Sequence, residues 1–262
     1  MNTEELRIAA AAYGTPTYIF DVREVEARIR LLRSLLPEGT GLCFAVKANP
    51  FLIPYVADMV DRLEVCSPGE YEICIQEQIA PEKIVVSGVN KTYESMKRIL
   101  SYSKGAGIYT IESEEHAKIL RTLAEKNHMQ LSVLIRLSSG NQFGVDAETF
   151  IRLAKEVQES PYLTLAGVHY YAGTQKRQSK LEKEMDTLAA FAGTFEAETG
   201  TRLPELEYGA GMKVSYFVND SEKDQRESEP EPQIQALAEK LRTCDAYGKK
   251  TIELGRFLVS MS

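Results

Sequence analysis

Cysteine is scarce in this sequence and is nowhere arranged for cross-linking or metal binding. Among 262 residues there is no Cys-x-x-Cys pair, and the four cysteines are Cys43, Cys66, Cys74 and Cys244. Three of them lie inside apolar runs, which is typical of reduced side chains packed in a core. The pattern excludes a disulfide framework and offers no zinc site, so we predict no metal ion in the functional site.

Long apolar runs and basic clusters are also lacking. No uninterrupted apolar stretch could span a bilayer, and the amino terminus begins with acidic residues and shows no basic-then-apolar signal pattern. The 31 basic and 38 acidic residues give a formal charge of −7, which argues against a phosphate-backbone partner. We therefore expect a cytoplasmic protein that binds neither membranes nor nucleic acid.

Short β-rich runs alternate with longer segments of helical spacing, which is the pattern of βα units around a parallel sheet. The predicted strands are 42–48, 62–67, 83–88, 107–112, 131–138, 165–172, 206–211 and 250–256. The predicted helices between them are 51–60, 69–78, 92–103, 114–127, 147–159, 180–199 and 232–246. This alternation favours an α/β fold, a (β/α)8 TIM-like barrel, with a doubly wound open sheet as the alternative.

Two segments fall outside this alternation. Residues 1–40 contain a short predicted strand at 17–20 and an amphipathic helix, which we expect to pack on the outside of a barrel formed by residues 41–262. The second segment begins at Asn219 and is rich in acidic residues, with two prolines and no apolar periodicity. We predict a mobile surface loop there.

Residues at the carboxyl ends of barrel strands are the candidates for function. Small residues follow two late predicted strands, in "YAGTQ" and "YGAG", where bare backbone N–H groups can approach an anion. Arg256, in "ELGR", adds a permanent cation near the last strand. Two such loops and an arginine predict a phosphate site.

Lys47 ends the apolar run in "GLCFAVKANP". Its position alone favours a lysine that reaches toward solvent. A lysine desolvated at the mouth of an apolar barrel is also a candidate Schiff-base nucleophile, because loss of hydration lowers its pKa. A Schiff base facing a phosphate site suggests pyridoxal 5′-phosphate, which also needs a group at its pyridine nitrogen and a flat neighbour. Glu253 suits the nitrogen, and Tyr171 or His169 suits the ring.

The segments "FAVKANP", "VCSPGEY", "GVHYYAGTQ", "YGAG" and "ELGR", in this order, resemble the fold-type III pyridoxal-phosphate decarboxylases, the diaminopimelate and ornithine decarboxylase family. The resemblance covers nearly the whole chain. It implies a barrel of the alanine racemase/decarboxylase type that binds the cofactor as a Schiff base on Lys47, with Glu253 keeping the pyridine nitrogen protonated. The phosphate-holding positions that it implies are Thr174, Gly209, Gly211, Gly255 and Arg256.

The sequence departs from the family pattern at several of these segments. Tyr171 stands where members usually have a histidine stacked on the cofactor ring, so stacking survives while the charge of the histidine is lost. His169 is kept. Ala210 interrupts the usual run of glycines, and Gln142 stands where many members have lysine. These changes indicate a divergent subgroup acting on an amino acid, with an unusual or carrier-tethered one left open.

The largest departure is length. Members of the family continue past the segment matching "ELGR" into a second, all-β domain, which supplies a cysteine proton donor, a phosphate-contacting tyrosine and substrate contacts, partly across a dimer interface. This chain ends at "FLVSMS". The resemblance therefore implies a homodimer, and it implies that this chain is either a fragment without the C-terminal β domain or a barrel-only relative.

Four functions remain open at this point. The leading hypothesis is decarboxylation of an amino acid at its α-carbon through Lys47 and Glu253. The alternative is a barrel-only pyridoxal-phosphate carrier or homeostasis protein without decarboxylase activity. A racemase on this fold is disfavoured, because those enzymes usually place an arginine at the pyridine nitrogen. The fourth is a phosphate-sugar barrel enzyme that never uses Lys47 as an imine.

Overall fold

The barrel is closed. The structure, a computed structural model, describes residues 1–217, 219 and 221–260. Parallel strands follow one another around the barrel in sequence order, and the last strand pairs with the first. The strands are β1 Gly41–Ala45, β2 Arg62–Val65, β3 Ile84–Val86, β4 Ile108–Ile111, β5 Leu131–Arg136, β6 Leu163–Tyr171, β7 Glu205–Gly209 and β8 Lys249–Leu254. The predicted barrel is confirmed, and the open sheet is excluded.

Helices connect the strands and cover the barrel. They are α1 Thr3–Tyr13, α2 Val22–Leu35, α3 Ile53–Val56, α4 Pro68–Gln76, α5 Tyr93–Ser103, α6 Glu114–Asn127, α7 Ala147–Glu159, α8 Gln178–Thr199, α9 Glu222–Glu227, α10 Pro230–Thr243 and α11 Arg256–Val259. The start signals at Ser67 and Ser113 are confirmed, because each hydroxyl accepts a backbone N–H of the first helical turn at 3.2 Å. Among the described residues, no helix combines the length and apolar composition needed to cross a bilayer.

The core lies between the barrel and its outer helices. In α7 the apolar residues recur at helical spacing, and Phe150 is fully buried against Phe191 and Phe195 of α8. The ring centroid of Phe150 lies 4.9 Å from that of Phe191 and 6.0 Å from that of Phe195, in edge-on geometry. Burial of a side chain of this size contributes about 2–3 kcal/mol. Such packing holds the strands whose carboxyl ends form the mouth.

The amino-terminal segment differs from the prediction. Residues 17–20 form no strand. A helix that the sequence did not signal, α1, precedes them and begins at an Asn2 cap that accepts the Glu5 N–H at 2.9 Å. The amphipathic α2 packs against α3, α10 and α11 on the outside of the barrel, through its buried face.

The acidic segment after Asn219 is the second difference. Position 220 lies outside the described residues, as do 261 and 262, but the remainder forms α9 and the first turn of α10. Lys213 pairs with Asp224 at 2.5 Å and with Glu227 at 2.8 Å. These ion pairs tie α9 to the loop after β7, so the predicted loop is wrong over 222–227.

Candidate functional site

Lys47 lies in a single 3-10 turn, Val46–Ala48, that follows β1. Its ammonium donates to Glu64 Oε2 at 2.7 Å and Glu253 Oε1 at 3.2 Å. Burial alone would lower the pKa of Lys47, but Glu253 and Glu64 outweigh burial and raise the pKa. The low-pKa amine expected from desolvation is therefore wrong. The side chain is 39% exposed, so the charged amine is accessible from the mouth.

Glu253 is fixed between two donors near the end of β8. Its Oε1 faces Lys47, and its Oε2 lies 2.9 Å from His169 Nε2. Burial alone would raise the pKa of Glu253, yet Lys47 and His169 lower it below the ordinary range. A buried carboxylate that stays ionised can hold a proton on a neighbouring ring nitrogen.

Tyr171 ends β6 and presents its ring between three cations. The ring centroid lies 5.6 Å from Lys47 Nζ, 5.7 Å from Lys176 Nζ and 5.9 Å from Arg136 Cζ. Gly209, its register partner on β7, explains the fit, because a Cβ there would fall 2.5 Å from Tyr171 Cδ2. Gly209 makes room for the ring, and it is not among the residues that line the two cavities described next.

The first cavity, which we call the anion cavity, has a volume of about 200 Å³. Its wall combines Lys47, Tyr171 and Glu253 with loop residues that sequence reasoning had selected: Thr174, Gly211, Gly255 and Arg256. Arg256 Nη1 lies 3.5 Å from Thr174 Oγ1. Gly211 has a φ of +58°, and a Cβ there would lie 2.0 Å from the Gly173 carbonyl oxygen. This glycine lets the loops after β6 and β7 touch along their backbones.

The second cavity, which we call the carboxylate cavity, has a volume of about 380 Å³. It shares Lys47, Tyr171 and Glu253 with the anion cavity, and its other charged or titratable residues are Glu64, Cys66, Glu112, Arg136 and His169. Two adjoining spaces therefore meet at the same amine. The permanently charged Arg256 lines the anion cavity, whereas the ion-paired Glu112 and Arg136 line the carboxylate cavity.

Glu112 is neutralised by two buried cations. Arg136 Nη1 donates to Glu112 Oε2 at 2.7 Å, and Lys91 Nζ lies 3.3 Å from Glu112 Oε1. Burial alone would raise the pKa of Glu112, but Lys91 and Arg136 lower it to about 2. The Glu112 carboxylate that lines the carboxylate cavity is therefore ionised and is held by two cations.

A buried lysine cluster lies behind the anion cavity. Lys176 Nζ donates to Glu184 Oε2 at 2.7 Å and to the Gly209 carbonyl at 2.9 Å, while the Tyr208 hydroxyl donates to Glu184 Oε2 at 2.7 Å. The Lys176 N–H bonds the Gly211 carbonyl at 3.0 Å. Burial lowers the pKa of Lys176 despite Glu184. The cluster joins the loops after β6 and β7.

Several of these residues were missed by sequence reasoning. Glu64 lies between the apolar residues Leu63 and Val65 of its strand, and that interruption was the available signal. Nothing in the sequence marks Lys176. All four cysteines are free, as expected, but Cys66 is only partly buried and its Sγ lies 3.5 Å from Lys47 Nζ.

The fold and the site define a (β/α)8 barrel whose mouth carries an ion-paired lysine, a buried carboxylate and an anion-holding loop set. A family model described as "Pyridoxal-dependent decarboxylase, pyridoxal binding domain" matches residues 22–260. The chain belongs to this family. The resemblance predicted from the sequence motifs is thereby confirmed.

Individual relatives agree with this assignment. The diaminopimelate decarboxylase of Actinosynnema pretiosum subsp. auranticum is 32% identical over 82% of this chain and 52% of its own length. The diaminopimelate decarboxylase of Helicobacter pylori, solved with L-lysine, superposes with a TM-score of 0.79 at 20% identity, covering 98% of this chain and 66% of that one. The chain spans about half the length of the curated relatives it matches.

A second solved structure supports the fold. The lysine/ornithine decarboxylase of Vibrio vulnificus, complexed with putrescine, has a TM-score of 0.82 at 18% identity. The alignment covers 98% of this chain and 69% of that one. The family is pyridoxal-dependent, so pyridoxal phosphate is the cofactor that membership implies.

Proposed function

We propose that this chain is the cofactor-binding barrel of an amino acid decarboxylase and that Lys47 binds pyridoxal 5′-phosphate covalently. The observation that carries this proposal is the meeting of the anion cavity and the carboxylate cavity at Lys47, Tyr171 and Glu253. An amine, a flat ring and an ionised carboxylate are the three partners that this cofactor requires away from its phosphate.

The donor set fits each group of the cofactor. Arg256 and Thr174, beside the bare backbone of Gly211 and Gly255, suit a phosphate dianion. Glu253 suits the pyridine nitrogen, and Tyr171 suits a ring face. When bound, the cofactor supplies an electron-withdrawing ring that accepts the electrons released as carbon dioxide leaves.

Glu64 has a specific task in this scheme. The Lys47 nitrogen must lose a proton before it can form a covalent bond, and its raised pKa makes that loss unfavourable near neutral pH. Glu64 Oε2, at 2.7 Å, is the nearest acceptor for the proton. Glu253 remains ionised beside it, because His169 continues to donate to its other oxygen.

The carboxylate cavity is the space we assign to the amino acid substrate. Its volume of about 380 Å³ opens directly from Lys47, and Arg136 and Glu112 offer one cation and one anion along the wall. The relatives named above are a diaminopimelate decarboxylase, a second one solved with L-lysine, and a lysine/ornithine decarboxylase solved with putrescine. We extend this class of substrate, an amino acid with a charged side chain, to this chain, and the resemblance also predicts a homodimer.

Reductive trapping tests the proposal directly. Incubation with pyridoxal phosphate and borohydride is expected to attach the cofactor at Lys47, as located by peptide mass spectrometry. Lys47→Arg is the matched control, since it retains a cation for Glu64 and Glu253. Trapping at another residue, or equal trapping in Lys47→Arg, would contradict the proposal.

A barrel-only cofactor carrier is the second candidate. It needs only the residues that would bind the cofactor, and the barrel supplies all of these in the two cavities. Carbon dioxide release separates the two candidates. A panel of basic and acidic amino acids, tested on this chain and on any longer native form, is expected to give release for a decarboxylase. A carrier would bind the cofactor and release none.

A further inference from the structure

The loop after β7, residues 210–214, borders the anion cavity through Gly211 and Met212. No hydrogen bond among the described residues uses the backbone N–H group of either residue. Backbone N–H groups of this kind hold phosphate, whereas a carbonyl oxygen in the same place would repel it. The loop can therefore bind an anion only if its carbonyl groups are held by other partners.

Two glutamine side chains hold neighbouring residues of this loop. The amide of Gln175, in the loop after β6, accepts the Val214 N–H at 2.8 Å and donates to the Val214 carbonyl at 2.8 Å. The amide of Gln233, on α10, accepts the Lys213 N–H at 2.9 Å and donates to the Lys213 carbonyl at 3.0 Å. Each glutamine thus satisfies both backbone groups of one loop residue, and neither glutamine lines the anion cavity.

Lys176 holds the end of β7 and the start of the loop. Its Nζ donates to the Gly209 carbonyl at 2.9 Å, and its backbone N–H donates to the Gly211 carbonyl at 3.0 Å. The carbonyl groups of residues 209, 211, 213 and 214 therefore all accept hydrogen bonds from partners outside the cavity wall. The N–H groups of Gly211 and Met212 remain available to an anion.

The backbone of Gln175 is strained. Its φ is +56°, in the left-handed region that a residue with a side chain rarely adopts. Such conformations persist where the surrounding structure fixes them, and they cluster at ligand-binding sites. The residue before it, Thr174, lines the anion cavity, and the two bonds to Val214 fix Gln175 itself.

The same two loops contact the cation of the cavity. Tyr216, two residues after Val214, has its ring centroid 5.4 Å from Arg256 Cζ. Arg256 Nη1 lies 3.5 Å from Thr174 Oγ1, in the loop after β6. A shift of one loop relative to the other would therefore disturb Arg256 as well as the N–H groups.

We propose that Gln175 and Gln233 are positioning residues that hold the loop after β7 as a preformed phosphate-binding loop. They act through the backbone of Val214 and Lys213 and do not touch the phosphate. A loop that is already ordered binds more tightly, because less conformational entropy is lost on binding. The identity of the phosphate as that of pyridoxal phosphate rests on the proposed function, whereas binding of a phosphate by the loop does not.

Paired titrations with pyridoxal phosphate and pyridoxal isolate the contribution of the phosphate, because the two ligands share the aldehyde and the ring. The dissociation constant of pyridoxal divided by that of pyridoxal phosphate should fall about tenfold in Gln175→Met and in Gln233→Met, since each loses its amide bonds. Gln235→Met is the matched control. Gln235 is exposed on the same helix and bonds Glu231, so the ratio should not change. An unchanged ratio in Gln175→Met or Gln233→Met would overturn the proposal.

Gln175→Gly separates the amide from the backbone conformation. Glycine adopts the left-handed conformation without steric cost, so this variant relieves the strain and loses the amide. We expect the affinity ratio to fall as it does in Gln175→Met. A wild-type ratio in Gln175→Gly would show that the backbone conformation shapes the cavity without the amide, and it would refute the role of Gln175.

Amide hydrogen exchange of the wild-type, cofactor-free protein gives an answer without any variant. The Lys213 and Val214 N–H groups should be protected before any ligand is added, because the glutamines hold them. The Gly211 and Met212 N–H groups should become more protected when inorganic phosphate is added. Unprotected Lys213 and Val214 would show that the loop is not preformed, and no response to phosphate would show that it binds none.

This proposal and the proposed function can fail independently. Failure of borohydride trapping at Lys47 would refute the proposed function, while the exchange measurement with inorganic phosphate needs no covalent bond. Trapping at Lys47 together with an unchanged affinity ratio in the glutamine variants would refute the positioning role alone.

Discussion

Two lysines near the barrel mouth share their local geometry and differ in their electrostatics. Lys47 Nζ lies 2.7 Å from Glu64 and 5.6 Å from the Tyr171 ring centroid. Lys176 Nζ lies 2.7 Å from Glu184 and 5.7 Å from the same centroid. Yet the pKa of Lys47 is raised, whereas the pKa of Lys176 is lowered.

The difference comes from the second partner and from access. Lys47 has a second carboxylate, Glu253, and 39% of its side chain is exposed to the cavities. Lys176 has a neutral second partner, the Gly209 carbonyl, and its side chain is 0% exposed. A short ion pair therefore does not identify a reactive lysine. The number of carboxylates sets its charge, and an adjoining cavity decides whether a ligand can reach it.

The largest loss of unfolding free energy is expected from Lys176→Met. This change removes the buried cation that pairs with Glu184, which costs about 3–5 kcal/mol of unfolding free energy. Urea unfolding measures the loss. Lys180→Met is the matched control, because Lys180 lies 4.0 Å from the same carboxylate but is 55% exposed, and it should cost less than about 1 kcal/mol. Similar losses of unfolding free energy in both variants would mean that burial of the lysine does not determine how much its ion pair with Glu184 stabilises the fold.

A third lysine, Lys91, extends the comparison to acid pH. Its partner Glu112 has a pKa lowered from 4.5 to about 2, which corresponds to about 3 kcal/mol. Because the folded-state pKa lies below the unfolded one, this stability is present above about pH 4.5 and is lost as pH falls toward 2. The difference in unfolding free energy between wild type and Glu112→Gln should shrink over that window. Glu114 is exposed and serves as the control, so the difference in unfolding free energy between wild type and Glu114→Gln should not change over this pH window.

Glu64→Gln removes one of the two carboxylates that distinguish Lys47. The pKa of Lys47 should fall by about 1–3 units, as expected for loss of an adjacent opposite charge. The rate at which pyridoxal phosphate binds, followed by absorbance against pH, should reach half its maximum at a correspondingly lower pH. Glu184→Gln alters the other lysine and should leave this midpoint unchanged. An unchanged midpoint in Glu64→Gln would show that Glu253 alone sets the charge of Lys47.

The smallest effect, a change in cofactor affinity, is expected from substitution of Tyr171, whose ring lies near both Lys47 and Lys176. The Tyr171 hydroxyl makes no hydrogen bond among the described residues, so Tyr171→Phe should change cofactor affinity by less than about 0.5 kcal/mol. Tyr171→Leu removes the aromatic face and should cost about 0.5–1.5 kcal/mol. Equilibrium titration with pyridoxal phosphate measures both. A large loss in Tyr171→Phe would assign a role to the hydroxyl in place of the ring.

The barrel and much of its mouth could be predicted because their signals are local. Alternation of strand and helix spacing fixes the number of βα units, and Lys47, Glu253 and Arg256 lie at or near strand ends in the chain itself. The acidic segment was mispredicted because composition favours solvation, while the Lys213 ion pairs that order α9 come from another part of the loop.

The sequence by itself determined which strands exist and which family the chain belongs to, because periodicity and short motifs are properties of neighbouring residues. The predicted strand ends lie one to three residues beyond the observed ones. Only the tertiary structure decided that Lys47 is charged and that the absence of a side chain at Gly209 makes room for the Tyr171 ring. It also decided that Gln175 and Gln233, far apart in the chain, bond neighbouring residues of one loop. A pKa depends on every charge and on all the water within a few ångströms, and closure of the barrel alone brings those groups together.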